Sequence, residues 1–166
     1  MKKLFISIIA VPFLFYGCKK KKDDPAPVAS SKSKTELLTQ HSWKLATSTS
    51  DRAIDFDQDG TASTNIMAQR KSCQNDDVLT FTNSSSSSKT GSKDQGPTKC
   101  DDKDAQNITF NWRWNDSETV LKTTAFYIFT EDYTVLDLND ATLKVTYGDK
   151  DKDGVNYIVT DVYIKP

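Results

Sequence analysis

Residues 108–114 alternate between apolar and polar side chains, and no other pattern in the sequence constrains the fold as strongly. Ile108, Phe110, Trp112 and Trp114 share one face of an extended chain, and the residues between them are polar. A period of two residues is typical of a β-strand with one buried face. Two tryptophans on that face supply a large apolar area. We therefore expect a core strand here; the alternative is that Phe110, Trp112 and Trp114 line a ligand cavity.

Other short segments show strand patterns separated by polar turns. Strands are predicted at 43–48, near Leu79 and Phe81, and at 119–124, 126–130, 133–138, 142–147 and 155–164. One short helix is predicted around Glu36, with Ser33 or Thr35 as its cap. The acidic segment 51–65 and the Ser-rich segment 83–97 are predicted to be loops. Seven or eight short antiparallel strands indicate an all-β barrel or sandwich.

The first eighteen residues have the pattern of a bacterial lipoprotein signal. Lys2 and Lys3 precede an apolar run of about 13 residues, which is too short for a membrane span of roughly 20. The run ends in Phe15-Tyr16-Gly17-Cys18, which resembles a lipobox. We expect residues 1–17 to be a signal peptide and Cys18 to carry the lipid. The alternative is a lone buried cysteine after an apolar run.

Residues 18–33 contain almost nothing to bury and are predicted to form an extended, disordered tether. The Lys-Lys-Asp-Asp tract at 21–24 resembles the charged tracts that follow the lipidated cysteine in surface-exported lipoproteins of Bacteroidetes. The alternative is a solvated tether beside anionic head groups. We therefore expect an outer-membrane lipid anchor, on the periplasmic face or the cell surface. The net charge of −1 gives no support for nucleic-acid binding.

With Cys18 assigned to lipid, Cys73 and Cys100 remain as an even pair in an exported domain, predicted to span residues 34–166. An oxidising compartment favours a disulfide between them. A redox or metal-binding thiol pair is the alternative, but no Cys-x-x-Cys spacing exists and His41 is the only histidine.

Asp55-Phe56-Asp57-Gln58-Asp59-Gly60 has the spacing of a calcium loop. Carboxylates at alternate positions can converge on one hard cation, and a glycine permits the sharp turn. The candidate ligands are Asp55, Asp57, Asp59 and the carbonyl of Thr61. Ile66 stands where an EF-hand needs glutamate, so a plain acidic turn is the alternative. Residues 149–154 repeat the pattern with lysines between the aspartates.

Several segments resemble lipocalin-like domains of Bacteroidetes lipoproteins. Leu38 to Leu45, Cys73 to Phe81, the region of Cys100, and the strands 108–114 and 136–147 match these domains, although His41 replaces their usual glycine. The resemblance implies an eight-stranded up-and-down barrel in which Trp43 closes one end. It also implies a cavity for a small apolar ligand.

Enzymatic chemistry has little support in the sequence. The single histidine and the lack of a Gly-x-Ser-x-Gly or phosphate-binding glycine motif argue against most hydrolases and nucleotide enzymes. Two functions remain, neither of them enzymatic. One is a lipid-anchored module that binds a small apolar molecule. The other is a structural or interaction lipoprotein with a filled barrel core that acts through its loops.

Overall fold

Nine antiparallel strands form one sheet in the part of the chain that the computed structural model describes, which is residues 32–84, 89–126 and 129–166. Lys32–Pro166 make up one compact unit. The predicted signal peptide, Cys18 and nearly all of the predicted tether lie outside the described residues. The strands are β1 (Ser42–Ile54), β2 (Ser63–Asn65), β3 (Val78–Thr82), β4 (Lys89–Asp94), β5 (Asn107–Trp114), β6 (Val120–Ala125), β7 (Phe129–Leu138), β8 (Thr142–Lys150) and β9 (Asn156–Ile164).

The sheet closes on itself because β1 pairs with two neighbours. Its first residues, Ser42–Lys44, pair with β3, and the segment Lys44–Ser50 pairs with β9. From β3 to β9 each strand pairs with the next in the chain, so eight strands form an up-and-down barrel, and β2 pairs with the far part of β1. This confirms the predicted all-β antiparallel barrel. Closure leaves no long unpaired edge among these eight strands.

A short helix, α1 (Lys34–Thr39), lies at the barrel end where β1 begins. Ser33 and Glu36 form a capping box at its start, which confirms the predicted helix and cap. The Lys34 amino group donates to the Glu118 carbonyl in the β5–β6 turn at 2.5 Å, which places α1 at this end. Trp43 is fully buried beneath the helix, and its indole N–H donates to the Leu38 carbonyl at 2.8 Å. Trp43 therefore lies at one end of the barrel, as its predicted closing role requires, and that role stays a prediction.

Strand β4 contradicts part of the predicted Ser-rich loop. The segment Lys89–Asp94 has no large apolar residue, yet it pairs along its whole length with β5. Gly91 points inward, and a Cβ there would lie 2.4 Å from the Phe110 ring, so glycine lets that ring lie over the strand. Lys93, two residues further along, lies on the same face of the strand and forms an ion pair with Asp77 at 2.6 Å. The strand is therefore held by backbone pairing on both sides and by its lysines, while the apolar side chains that cover it come from neighbouring strands.

The predicted loop at 51–65 is also partly wrong. β1 continues to Ile54, and β2 turns back along it into a second helix, α2 (Ile66–Gln69), whose N-cap is Asn65. Ile54 and Ile66 are 4% and 1% exposed and pack in a small second core. Burial of these two isoleucines orders a segment whose sequence is mostly polar.

Strand β7 contains all of the predicted strand 133–138 but only the last two residues of the predicted strand 126–130. Phe126 lies in a turn after β6 with φ of 52°, which corrects the start of that prediction, and residues 127–128 lie outside the described residues. Strand β7 shifts register between Val135 and Asp137 opposite β8. The predicted turn at Asn139 is confirmed, since its side-chain oxygen accepts hydrogen bonds from the amides of Ala141 and Thr142. Among the described residues, neither helix reaches the length and apolarity that a bilayer span requires.

Candidate functional site

The barrel interior is filled at the α1 end and hollow beyond it. The filled part is a cluster of buried residues that consists of Leu38, Trp43, Phe81, Trp112, Leu121, Leu143 and Val145. Beside it lies a space of about 80 Å³, which we call the apolar cavity. Its walls are Leu79, Phe81, Phe110, Leu121, Thr123, Tyr133, Leu143, Val145 and Tyr163.

A second space of about 220 Å³, the polar chamber, shares three wall residues with the apolar cavity: Leu79, Tyr133 and Tyr163. Its other walls are Leu45, Arg70, Gln74, Asp77, Lys93, Tyr147 and Asp161. The two spaces therefore form an amphipathic interior, apolar towards α1 and polar towards the opposite end. Ligand sites commonly combine apolar walls with a few converging polar groups.

Asp161 is the most deeply buried charged residue of the chamber, with 2% of its surface exposed. Strand β9 turns this side chain inward because Val159, Asp161 and Tyr163 alternate with outward residues. Its Oδ2 accepts hydrogen bonds from the Tyr163 hydroxyl at 3.2 Å and the Tyr147 hydroxyl at 3.4 Å. Its Oδ1 is buried and has no hydrogen-bond partner. A buried acceptor without a partner is costly, so its presence needs an explanation such as a bound water or ligand.

Burial raises the pKa of the Asp161 carboxyl, and the positive charge of Arg70 opposes that rise. Ser48 faces Asp161 across the β1–β9 pair and is fully buried. Its hydroxyl lowers the pKa of Asp161 more than Arg70 does, although the Ser48 oxygen has no hydrogen-bond partner. Ser48 and Arg70 therefore both act against the effect of burial on this carboxyl.

Three tyrosines surround Asp161. Burial is the main cause that raises the pKa of Tyr133 to about 12, with contributions from the charges of Glu131 and Asp161. Burial and then the Asp161 charge also raise the pKa of Tyr147 and Tyr163. The Tyr133 and Tyr147 rings make an edge contact with centroids 5.2 Å apart. All three hydroxyls therefore keep their protons at neutral pH.

The remaining charges of the chamber nearly balance. Lys93 and Asp77 form an ion pair, which leaves Arg70 opposite Asp161 in sign. Arg70 Nε, a donor, and Asp77 Oδ1, an acceptor, are both buried without a hydrogen-bond partner. The chamber thus presents unused donors and acceptors on different walls.

A disulfide ties down one wall of this chamber. Cys73 lies in a turn of 3-10 helix (Ser72–Gln74) between α2 and β3, and Gln74 and the nearby Arg70 line the chamber. Cys73 and Cys100 are at disulfide distance, with Cα atoms 5.2 Å apart. This confirms the predicted pairing. An outer depression of about 300 Å³, partly lined by Cys100, also borders Gln74 and Lys93.

Of the three predicted ligand-lining residues, Phe110 lines the apolar cavity. Trp112 is 3% exposed, belongs to the packed cluster, and donates its indole N–H to the Thr90 carbonyl at 2.9 Å. Trp114 packs against the same cluster. The two tryptophans thus occupy the core positions that the alternation predicted.

Sequence reasoning missed the polar half of the site. The last strand was predicted, and its alternation puts Asp161 on the same face as Tyr157, Val159 and Tyr163. The inward direction of Asp161 could therefore have been predicted from the sequence. Arg70 had no such signal. It follows α2 directly and lies three residues before Cys73 of the disulfide, so its place in the chamber depends on the path of this segment.

The three predicted carboxylate ligands of calcium come together. One carboxylate oxygen of each of Asp55, Asp57 and Asp59 lies within 4.8 Å of the others. Asp55 and Asp59 also accept hydrogen bonds from the amides of Gly60 and Thr61, at 3.2 and 2.7 Å. The loop can therefore exist as an acidic turn, and its geometry is also compatible with a cation held by carboxylates. Calcium binding stays a prediction.

The second acidic loop uses its aspartates for the hairpin. Asp151 Oδ1 accepts from the amides of Asp153 and Val155 at 3.0 and 2.9 Å, and Oδ2 pairs with Arg52. Gly154 takes a left-handed conformation with φ of 78°. These contacts account for the repeated pattern as a β-turn.

No family model, curated protein or solved structure matches this chain in the comparisons with known proteins.

Proposed function

We propose that this protein is a lipid-anchored, extracytoplasmic barrel of the lipocalin-like type that binds a small molecule inside the barrel. The observation that carries the proposal is the pair of neighbouring spaces inside the barrel, which share three wall residues. An apolar cavity of about 80 Å³ adjoins a polar chamber of about 220 Å³ with a buried, partly unpaired Asp161. Together they approach the lower end of typical ligand sites.

The anchoring part of the proposal is supported by the N-terminal sequence. A basic start, a short apolar run and a Gly17-Cys18 end are typical of lipoproteins. One acyl chain gives marginal membrane binding, whereas two or three on one cysteine hold a protein stably. The disulfide-distance pair Cys73 and Cys100 suits an oxidising compartment outside the cytoplasm. We place the protein at the outer membrane, on the periplasmic face or the cell surface.

Cys18→Ala tests the anchoring. We expect the variant to leave the membrane fraction or to accumulate as uncleaved precursor, whereas Cys73→Ser should remain membrane-bound. Normal cleavage and incorporation of labelled fatty acid in Cys18→Ala would refute the lipid assignment.

Native mass spectrometry of the protein purified from its own host tests the binding function. We expect a non-covalent mass that is released on denaturation, and loss of that mass in Thr123→Trp, which fills the apolar cavity from a wall residue. Thr130→Trp, on the outer face of the neighbouring strand, is the matched control and should retain it. Repeated absence of a bound molecule would argue against the binding function.

The second candidate is a structural or interaction lipoprotein with a filled core. It is favoured by the packing at the α1 end, where Trp43, Trp112 and Leu143 leave little space. The apolar cavity alone is also smaller than most ligand sites. The same mass-spectrometry experiment distinguishes the two, because a filled barrel carries no ligand and should be insensitive to Thr123→Trp except in stability.

A further inference from the structure

We infer that the molecule held in the barrel is an uncharged, polyhydroxylated compound with a short apolar part, such as a small glycoside. This inference rests on the proposed binding function and names the chemical class of its ligand. The hydroxylated end would occupy the polar chamber and the apolar end the apolar cavity. Its basis is the set of unused hydrogen-bonding atoms in the chamber together with the balance of charge around them.

The unused atoms match a ligand that both donates and accepts. Arg70 Nε is a buried donor without a partner, and the Oδ1 atoms of Asp77 and Asp161 are buried acceptors without partners. All three residues line the same chamber. A hydroxyl group can donate and accept at once. Several hydroxyls on one small ring can reach several walls, whereas a single amide or a lone alcohol reaches fewer of them.

The charge balance disfavours an ionic ligand. Lys93 neutralises Asp77 at 2.6 Å, and the charges of Arg70 and Asp161 are opposite. A cation would be attracted by Asp161 but repelled by Arg70, and an anion would meet the reverse arrangement. Neither ion would gain a net complementary charge to offset the loss of its hydration.

The shape and the aromatic walls agree with this class. Tyr133 and Tyr163 line both spaces, so their rings flank the boundary between the polar and apolar parts. Aromatic faces pack well against the C–H surface of a sugar ring, while the adjoining cavity of about 80 Å³ has room for a short alkyl group only.

The test compares three probes that share a four-carbon chain: butyl glucoside, butylammonium and butyrate. Each is titrated into isotope-labelled full-length protein at neutral pH, and binding is followed through amide shifts of β8 and β9 in NMR spectra. We expect butyl glucoside to bind at least tenfold more tightly than either ion. Asp161→Asn should weaken the glucoside at least tenfold, since a site built around a buried acceptor loses affinity when that acceptor changes.

Asp132→Asn is the matched control, because it makes the same chemical change on an outward, 52% exposed side chain. It should leave binding unchanged. Arg70→Gln provides a second variant of the chamber if Asp161→Asn does not fold, and it should also weaken the glucoside at least tenfold. Unchanged glucoside binding in the folded chamber variants would overturn the inference.

Tighter binding of butylammonium or butyrate in the barrel would overturn the ligand class while leaving the proposed binding function intact. If no probe shifts the barrel amides, the ligand class is tested by identifying the molecule that native mass spectrometry releases from protein purified from its own host. A neutral hydroxylated compound supports the inference, an ionic or purely apolar one overturns it, and the absence of any molecule overturns the binding function as well.

Discussion

Replacing Cys73 and Cys100 together by serine should lower the free energy of unfolding by about 3.5 kcal/mol. The two residues are 27 positions apart, and closing a loop of that length removes about 12 cal/mol/K of entropy from the unfolded chain. At room temperature this entropy corresponds to the stated free energy. The loop includes all of β3 and β4, so its constraint acts on a segment with few apolar residues of its own.

Urea denaturation followed by tryptophan fluorescence measures this loss. The melting temperature should fall by about 10–18 °C for a domain of this size. The dependence of the unfolding free energy on urea should become steeper, because the unfolded chain without the cross-link exposes more surface. Wild-type protein unfolded with a reducing agent should reproduce the double variant.

Ser72→Ala changes an exposed neighbour of Cys73 and should alter stability by no more than about 0.5 kcal/mol. A loss below about 1 kcal/mol in the double variant, with an unchanged urea dependence, would refute the reasoning. It would mean that the barrel contacts of β3 and β4 order this loop without the cross-link.

Three further predictions concern the barrel end, the chamber and the acidic loop. Trp43→Ala should cost about 3–5 kcal/mol in urea denaturation, because it removes a fully buried side chain; Phe56→Ala, at a 37% exposed position, should cost less than about 0.5 kcal/mol. Because burial raises the pKa of Asp161 above 3.8 in the folded state, the folded protein binds the proton more tightly. The unfolding free energy of the wild type should therefore fall relative to Asp161→Asn as the pH rises from 3.8 through the raised pKa, and a flat difference would contradict this. Calcium should raise the melting temperature of the wild type relative to chelator, and it should not do so in Asp57→Asn. Equal melting temperatures of the wild type with calcium and with chelator would refute calcium binding and favour a plain acidic turn.

For the polar chamber, the sequence allows the direction of one side chain to be predicted but not which residues surround it. The inward direction of Asp161 follows from simple alternation along β9, yet an acidic side chain on an inward face gives no information about its neighbours. Tyr147 meets it from β8, and Arg70 reaches it from the segment after α2. These neighbours depend on strand register and on the path of a loop, which local patterns do not encode.

Strand β4 shows the same limit in the fold itself. Its sequence, KTGSKD, has no apolar periodicity, so a loop was the reasonable expectation. The segment becomes a strand because Phe110 fills the space above Gly91, and because β3 and β5 offer unpaired backbone groups on both sides. Side chains of other strands supply the burial that its own residues lack.

The sequence by itself determined the all-β class, the number of strands within one, the α1 helix with Ser33 as one of two candidate caps, the cysteine pairing and the core position of the two tryptophans of β5. Each of these follows from local alternation, capping chemistry or counting, which act over a few residues. Only the tertiary structure decided that the barrel closes through β1 and β9, that β4 is a strand, and that Asp161, Arg70 and three tyrosines meet in one chamber. The physical reason is that closure, register and loop placement depend on contacts between residues that are distant in the chain, and the polar interior exists only where those contacts converge.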